Sequence, residues 1–502
     1  ARMIRAGRGL DPADLVVKNV KRLDIVTGEI IQTDIAIVAD RIVGTHGTYE
    51  GKSEIDGAGR FAVPGFIDTH LHIESSLVTP LEFDRCVLPH GVTTVICDPH
   101  EIPNVLGAKG IRYFLDCAER SIMDMRINLS SCVPATPFET AGARLDLNAY
   151  LAAGIRTDHE ATNAKEAREK LSKGMAILIR EGSVSKDLDA LAEILDANTS
   201  AFVALCTDDR NPLDIAEEGH LDSSIRRLIA HGCPVHHVYR AASHSAARIF
   251  GLKDRGHVAP GWRADIALLD SLEDCHVSDV VSAGRLVTEA LWATREQISP
   301  VGLDSMKANP VEPSAFITAP NPDKNEVPVI GVKPGLILTF RESAALASDE
   351  AGLKPDTSAD VIKVAVIERH GINGNIGRSF VKGFGLKRGA IASSVGHDSH
   401  NITVVGVTDE DMALAVNRLI EIGGGFSVAC EGEILADLAL PIAGLMSPEP
   451  FEIVTEHLEH LRHAAKALDC TLPEPFLQVA FLALPVIPHL KMTDNGLFDV
   501  DK

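Results

Sequence analysis

Between residues 15 and 63 apolar and polar positions alternate over short runs, as in Leu15-Val16-Val17, Asp34-Ile35-Ala36-Ile37-Val38 and Arg41-Ile42-Val43, separated by Gly and Asp turns. Period-two alternation buries one face of a strand, so this stretch is predicted to be hairpin-rich β structure. From Gly65 to Gly251 the pattern changes to buried apolar runs separated by helix-like stretches, the rhythm of βα units and a parallel sheet. Six strands are predicted there: Phe66–His70, Val92–Asp98, Arg126–Cys132, Ile155–His159, Met175–Arg180 and Phe202–Asp208. Short β signals return at Ala264–Leu269 and Asp279–Val287, and the Pro-, Asn- and Ser-rich stretch 299–328 reads as a linker. Strands and helices resume over 329–502, with strand candidates at Ile337–Thr339, Ile362–Ile367, Ile402–Val407 and Phe426–Ala429.

Each of the six strands ends in polar, ionisable or small residues. The carboxyl ends of barrel strands form the active-site rim, so the expected architecture is an α/β protein built on a (β/α)8 TIM barrel over 65–251. A doubly wound open sheet is the alternative. A C-terminal α/β or α+β domain is expected over 329–502.

The balance of 48 basic against 70 acidic residues, net −22, would repel a phosphate backbone and leaves no footprint for nucleic acid. A small uncharged substrate fits better. No run reaches the ~18 apolar residues of a membrane span. Nine scattered cysteines, never spaced C-x-x-C, point to a reducing cytoplasm and not to a zinc ribbon.

Three strand ends carry metal-binding chemistry. In Asp68-Thr69-His70-Leu71-His72 the two imidazoles are two residues apart and can reach one cation. Thr157-Asp158-His159-Glu160 places a histidine between acids, and Cys206-Thr207-Asp208-Asp209-Arg210 ends an apolar run in two carboxylates. Read singly, each has a structural explanation: an H-x-H arises by chance, His159 could sit in ordinary ion pairing, and Asp208 could cap a helix. Together they offer three imidazoles and a carboxylate, enough for an open hydrolytic metal site. Two further strand ends, Cys97-Asp98-Pro99-His100-Glu101 and Ile179-Arg180-Glu181-Gly182-Ser183, add loop chemistry or structural contacts. The histidine-rich loops around Glu368-Arg369-His370 and His397-Asp398-Ser399-His400 could bind metal or cap a site.

These residues resemble the adenine deaminases of the amidohydrolase superfamily. The likeness runs from Pro64-Gly65-Phe66-Ile67-Asp68-Thr69-His70-Leu71-His72-Ile73-Glu74, through Asp98-Pro99-His100-Glu101-Ile102 and Ser131-Cys132-Val133-Pro134-Ala135-Thr136, to Arg180-Glu181-Gly182-Ser183 and Cys206-Thr207-Asp208-Asp209-Arg210-Asn211-Pro212. It continues in Asn373-Gly374-Asn375-Ile376-Gly377, Val381-Lys382-Gly383-Phe384-Gly385-Leu386 and Ala392-Ser393-Ser394-Val395. The resemblance implies that residues 1–64 and 252–298 jointly build a small β-sandwich beside the barrel. It implies a site of two divalent ions, manganese or iron with zinc also compatible, held by His70, His72, His159 and Asp208. It further implies conversion of adenine to hypoxanthine and ammonia by attack of a metal-bound hydroxide at C6, with Asp208 passing the proton. Glu101 is the candidate for protonating the ring nitrogen, which would need a pKa raised by burial or by Asp98, and His100 beside it is a further catalytic candidate. Asp98, Arg180, Glu181, Ser183 and Asp209 are the substrate-binding candidates. A cytoplasmic homo-oligomer, a dimer, with adenine as its small-molecule partner and neither nucleic acid nor membrane, completes the expectation.

One departure stands out. Between the strand ending near Cys132 and the one ending at His159, the family carries two more βα units that supply a bridging glutamate and another histidine ligand. Here Arg144 runs directly into Leu145, so a gap of two βα units is expected at that junction. Two other readings share part of the pattern. A cyclic-amide hydrolase of the dihydroorotase or hydantoinase type would keep H-x-H and the final Asp, but not Arg180-Glu181-Gly182-Ser183 or the C-terminal domain. A non-catalytic scaffold would have lost ligands that this chain retains. The zinc deaminases of the cytidine type are set aside because H-x-E with P-C-x-x-C does not occur.

Overall fold

The computed structural model describes residues 1–128, 138–139, 156–320, 326–349 and 352–501. The junction of Arg144 with Leu145, the Ser131–Thr136 motif and the end of the third expected strand lie outside the described residues.

The βα region forms six parallel strands: β1 (Phe66–Leu71), β2 (Val92–Cys97), β3 (Asp124–Ile127), β4 (Thr157–Asp158), β5 (Ala176–Arg180) and β6 (Val203–Cys206). They pair as two ladders, β1-β2-β3 and β6-β5-β4. A parallel bridge between Leu71 and Asp208 joins them into the order β3-β2-β1-β6-β5-β4. The first strand therefore lies beside the last, which is how a barrel closes, whereas a doubly wound sheet reverses its order at an internal strand. The fold is of the TIM-barrel type, with six of its strands among the described residues.

Burial explains the strand composition. β2, β5 and β6 are buried at every position, as expected of a parallel sheet covered on both faces. The covering helices start on local caps. Thr79 Oγ1 accepts the Glu82 N–H at 3.2 Å ahead of Pro80–Val87, and Asn163 Oδ1 accepts the Glu166 N–H at 3.0 Å ahead of Ala164–Ser172.

Strands from both sides of the barrel segment share one eight-stranded sheet. Phe61–Pro64 pairs antiparallel with Ile266–Leu269 and parallel with Ala13–Leu23, with Val277–Ser282 and Ile30–Val38 further out on either side.

The C-terminal region builds a second eight-stranded sheet, with Val361–Ile367, Ile402–Gly406 and Gly425–Cys430 close to the expected positions. The expected strand at Ile337–Thr339 is corrected: the chain pairs instead at Val327–Gly331 and Phe340–Ala344, on either side of the turn at Gly335. Ile337 is freed to line a cavity, and its carbonyl accepts from Lys491. The expected linker is also more structured than its composition implies. Pro313–Phe316 forms a 3-10 turn whose Phe316 is buried against the helix Asp409–Ile422, and Val327-Pro328 already belong to a strand.

One continuous core joins the two halves, running from Val95 and Leu205 of the barrel to Ile362, Val405 and Val428 of the C-terminal sheet. Charged contacts reinforce it: Arg85 reaches Glu452 at 2.7 Å and Arg462 reaches Asp214 at 2.6 Å. The C-terminal sheet is thereby held over the carboxyl ends of the barrel strands.

Candidate active site

The site grows from the ends of β1, β4 and β6. After Cys206 the chain enters Asp208 with φ 57°, a left-handed conformation that an L-residue adopts at a cost of roughly 1–3 kcal/mol and that clusters at functional positions. The turn is pinned by two backbone bonds, Asp208 N–H to the His70 carbonyl at 3.0 Å and His72 N–H to the Asp208 carbonyl at 3.3 Å. It brings Asp208 Oδ1 to 3.2 Å from His72 Nε2 and 3.5 Å from His70 Nε2. Arg180, at the end of β5, holds the other carboxylate oxygen at 3.1 Å and is itself oriented by Asp187 at 3.0 Å and Glu160 at 3.2 Å.

The imidazoles pack as a cluster. His70 stacks on His159 with centroids 4.0 Å apart, and meets His72 edge-on at 4.8 Å; His72 in turn meets His100 edge-on at 4.4 Å. His72 Nδ1 lies 2.7 Å from the Asp98 carbonyl, which can only accept, so the proton on that ring nitrogen is fixed and Nε2 is the nitrogen turned to Asp208. His159 Nε2 contacts the Glu160 carboxylate at 3.2 Å.

Protonation follows from burial and pairing. Burial opposes charge on Asp208, but its hydrogen bonds with His70 and His72 and the charge of His159 outweigh it and hold the carboxyl well below its usual range. Burial also opposes charge on His72, and Asp208 reverses this, raising its pKa well above the ordinary value. His70 is pushed down to about 4 by burial and by His159.

The set fits a metal. His70 Nε2 is buried without a hydrogen-bond partner. The donor atoms of His70, His159 and Asp208 lie within 4.8 Å of one another, as do those of His70, His72 and Asp98 and those of His72, Asp208 and Asp209. Ligands at 2.0–2.2 Å from one ion span nearly this separation. A cation would displace the proton from His72 Nε2 and satisfy His70 Nε2.

A cavity of about 230 Å³ opens on this cluster. The barrel lines it with His70, His72, His100, His159, Arg180, Asp208 and Asp209, and the C-terminal domain with His397, Asp398, Phe481 and Leu484. His100 and Asp209 thus reach the cavity as expected, and Ser75 Oγ donates to Asp209. Arg180 reaches it too, although its guanidinium serves Asp208.

Other expected substrate contacts do not come together. Glu181 is buried on Arg227 and the Leu188 N–H, and Ser183 Oγ donates to Asp214, facing the neighbouring cleft. Asp98 differs: its carbonyl faces His72 Nδ1 and its carboxylate lies with His70 and His72, so it belongs to the metal-binding cluster and not to a substrate contact. The raised pKa expected of Glu101 is also corrected. Burial favours it, but His397 Nδ1 lies 3.0 Å from Glu101 Oε1, and the cations around it bring the pKa far below the ordinary carboxylate value. The His397–His400 loop, expected to bind metal or cap a site, contributes His397 and Asp398 to the cavity wall. Sequence reasoning missed Asp187, which orients Arg180, and the apolar wall of Phe481, Leu484, Val486 and Ile487, whose ordinary hydrophobic spelling carries no signal.

Residues 61–184 and 177–287 match the amidohydrolase family, and residues 336–502 match the adenine deaminase C-terminal domain. The chain is 56% identical over 556 aligned positions to adenine deaminase 1 of Rhizobium meliloti (strain 1021), covering 100% of this chain and 98% of the relative. It is 57% identical to the adenine deaminase of Brucella abortus (strain 2308), covering 100% and 95%, and 57% identical to that of Sinorhizobium fredii (strain NBRC 101917 / NGR234), covering 100% and 98%. With its strand-end histidines, its Asp208 and a C-terminal domain that closes the cavity over them, the chain belongs to the adenine deaminase family of metal-dependent amidohydrolases.

Proposed function

We propose that the chain hydrolyses the exocyclic amine of adenine, releasing hypoxanthine and ammonia. The observation that carries this reading is the joint construction of one cavity by the barrel's His/Asp cluster and the adenine-deaminase C-terminal domain. The names of the full-length relatives support the substrate.

In this reading His70, His72, His159 and Asp208 hold two divalent ions, manganese or iron, with further ligands to be supplied from outside the present set. Such ions supply Lewis acidity and lower the pKa of bound water towards ~7. The chain's own residues do the rest. Asp208, kept ionised by its imidazoles and fixed by Arg180, takes a proton from the attacking water and passes it to the departing amine. His72 keeps its Nδ1 proton on the Asp98 carbonyl, so Nε2 is the nitrogen that would hold a metal. The Phe481–Ile487 wall excludes bulk water and offers a flat apolar face to a purine. Glu101 and its partner His397 supply the proton needed on the ring. A cytoplasmic homodimer is part of this reading, with size-exclusion chromatography as the check on its oligomeric state.

The test is to load the full chain with manganese or iron and follow ammonia release and purine absorbance with adenine, adenosine, AMP, cytosine and dihydroorotate. Adenine should be turned over far faster than the others. Comparable rates on adenosine, or turnover of dihydroorotate alone, would overturn the reading.

A further inference from the structure

Resting on the adenine reading above, we propose that His397, contributed by the C-terminal domain, is the group that protonates the purine ring, and that Glu101 is a positioning residue behind it. The cavity wall at this point is made by His397 and Asp398, while Glu101 is fully buried. His397 Nδ1 lies 3.0 Å from Glu101 Oε1, an ion-pair contact that turns this ring nitrogen towards the carboxylate. The other ring nitrogen, Nε2, is buried and has no hydrogen-bond partner. A buried polar atom left unpaired on a cavity wall is costly unless a ligand completes it. Phe481 stacks on the imidazole, centroids 4.9 Å apart and 23° from parallel, which fixes the ring plane. This is the arrangement of an acid–base histidine: one nitrogen ion-paired with a carboxylate, the other offered to the substrate.

The surroundings keep that histidine charged. Burial works against the cation, but Glu101, Asp209 and Asp398 face it and outweigh burial, raising its pKa to about 10. Glu74 stands behind Glu101, where burial and the Glu101 charge push its own carboxyl up to about 8. On the opposing side are His100, which reaches Asp398 at 3.6 Å, and His400, whose pKa burial drives well below the ordinary value. Arg369 lies beyond His400 and donates to its carbonyl. Within the pair the proton therefore sits on His397 and the negative charge on Glu101.

The proton balance closes. His397 Nε2 gives its proton to a ring nitrogen as water adds to C6, and that proton remains on the product as a ring N–H. One proton of the water leaves through Asp208 with the amine as ammonia. The other, shed as the C6 carbonyl forms, restores the imidazolium.

The test compares His397→Gln and Glu101→Gln in the manganese-loaded full chain, with adenine as substrate and metal content measured on each. His397→Gln should lower kcat by roughly 10²-fold or more, the usual scale for a general acid, with metal content unchanged and KM within a few-fold. Glu101→Gln should keep more activity than His397→Gln, and the basic limb of its kcat/KM profile should move to lower pH because the carboxylate that holds the proton is gone. Near wild-type kcat in His397→Gln, or a larger loss in Glu101→Gln without a shift of that limb, would overturn the proposal. An independent measurement is the nitrogen NMR spectrum of labelled histidines, with His397 assigned by its loss in His397→Gln or, should that variant not fold, in His397→Asn. Its signal should remain that of an imidazolium from pH 7 to above 9 in the unmodified chain and titrate lower in Glu101→Gln; a neutral His397 at pH 7 would overturn the proposal. If the unmodified, metal-loaded chain leaves adenine untouched, the adenine reading fails, while the spectrum still decides the state of His397.

Discussion

His70 and His159 lie ring on ring, 4.0 Å apart and 20° from parallel, although one ends the first barrel strand and the other the fourth of the six. Stacked this closely, the two cannot both carry a proton without repulsion, and burial with His159 holds His70 neutral down to about pH 4. His70 is thus preset to give a lone pair to a cation, whereas at His159 burial is outweighed by Glu160 and Asp208, which raise its pKa, so a cation there would have to displace a proton. Replacing His70, His72 or Asp208 by Ala should lower metal content and abolish turnover, as measured by elemental analysis and ammonia release. A His70→Ala protein with full metal and full activity would remove this cluster from the chemistry.

Arg180 should matter through Asp208 more than through substrate. Its guanidinium spans Asp208, Glu160 and Asp187, a fork that a lysine ammonium cannot reproduce. Arg180→Met and Arg180→Lys should both weaken metal binding by about 10–100-fold, the usual consequence of losing a partner that orients a ligand. Competition with a chelator measures this directly. A change confined to KM for adenine, with metal affinity intact, would show that Arg180 serves the substrate.

Lys491 should give the fold a measurable pH dependence. It is fully buried, donates to the carbonyls of Phe481 at 2.9 Å and Ile337 at 3.2 Å, and burial lowers its pKa to about 7 from 10.5. Between these values the unfolded lysine binds a proton that the folded one does not. Low pH therefore favours unfolding, and this group's contribution to stability rises as pH increases from about 7 to 10.5. The denaturation midpoint of the unmodified chain should gain on that of Lys491→Met across this window. Parallel curves for the two would show that Lys491 remains charged in the folded state.

The expected gap at Arg144–Leu145 can be tested by filling it. The alignment with the Rhizobium meliloti relative spans 556 positions against 502 residues here, leaving 54 of its positions without a counterpart. Two βα units at ~30 residues each are of this size. Inserting the relative's corresponding segment between Arg144 and Leu145 should raise the bound manganese by one equivalent per chain and increase kcat. An insert that folds but leaves metal stoichiometry and turnover unchanged would count against the gap.

The barrel strands and their catalytic ends were legible because a parallel strand buried on both faces spells itself as an apolar run, and its end is marked where ionisable residues begin. His70, His72, His159 and Asp208 follow directly from that rule. Distance in sequence hid the rest. Nothing near Glu101 announces that its partner is His397, because the pairing is made only when the C-terminal sheet docks. For the same reason a carboxyl expected to hold a proton lost it to an imidazole. Glu181 and Ser183 look like substrate contacts in sequence because they follow a barrel strand, yet their side chains turn to Arg227 and Asp214, within the barrel. The linker was misjudged by composition: Pro and Ser suggest loose chain, but Phe316 anchors it under a helix.

The antiparallel pairing of Phe61–Pro64 with Ile266–Leu269 works as a clasp. The barrel segment leaves the flanking sheet after one of these strands and returns to it at the other, so its two ends are tied together outside the barrel itself. That anchors the seam where β1 meets β6, and Ser282 of the flanking sheet, donating to the Ile122 carbonyl at 3.0 Å, adds a tie at the entry to β3. Amide exchange within the barrel should therefore be slowest in β1 and β6, beside the clasp.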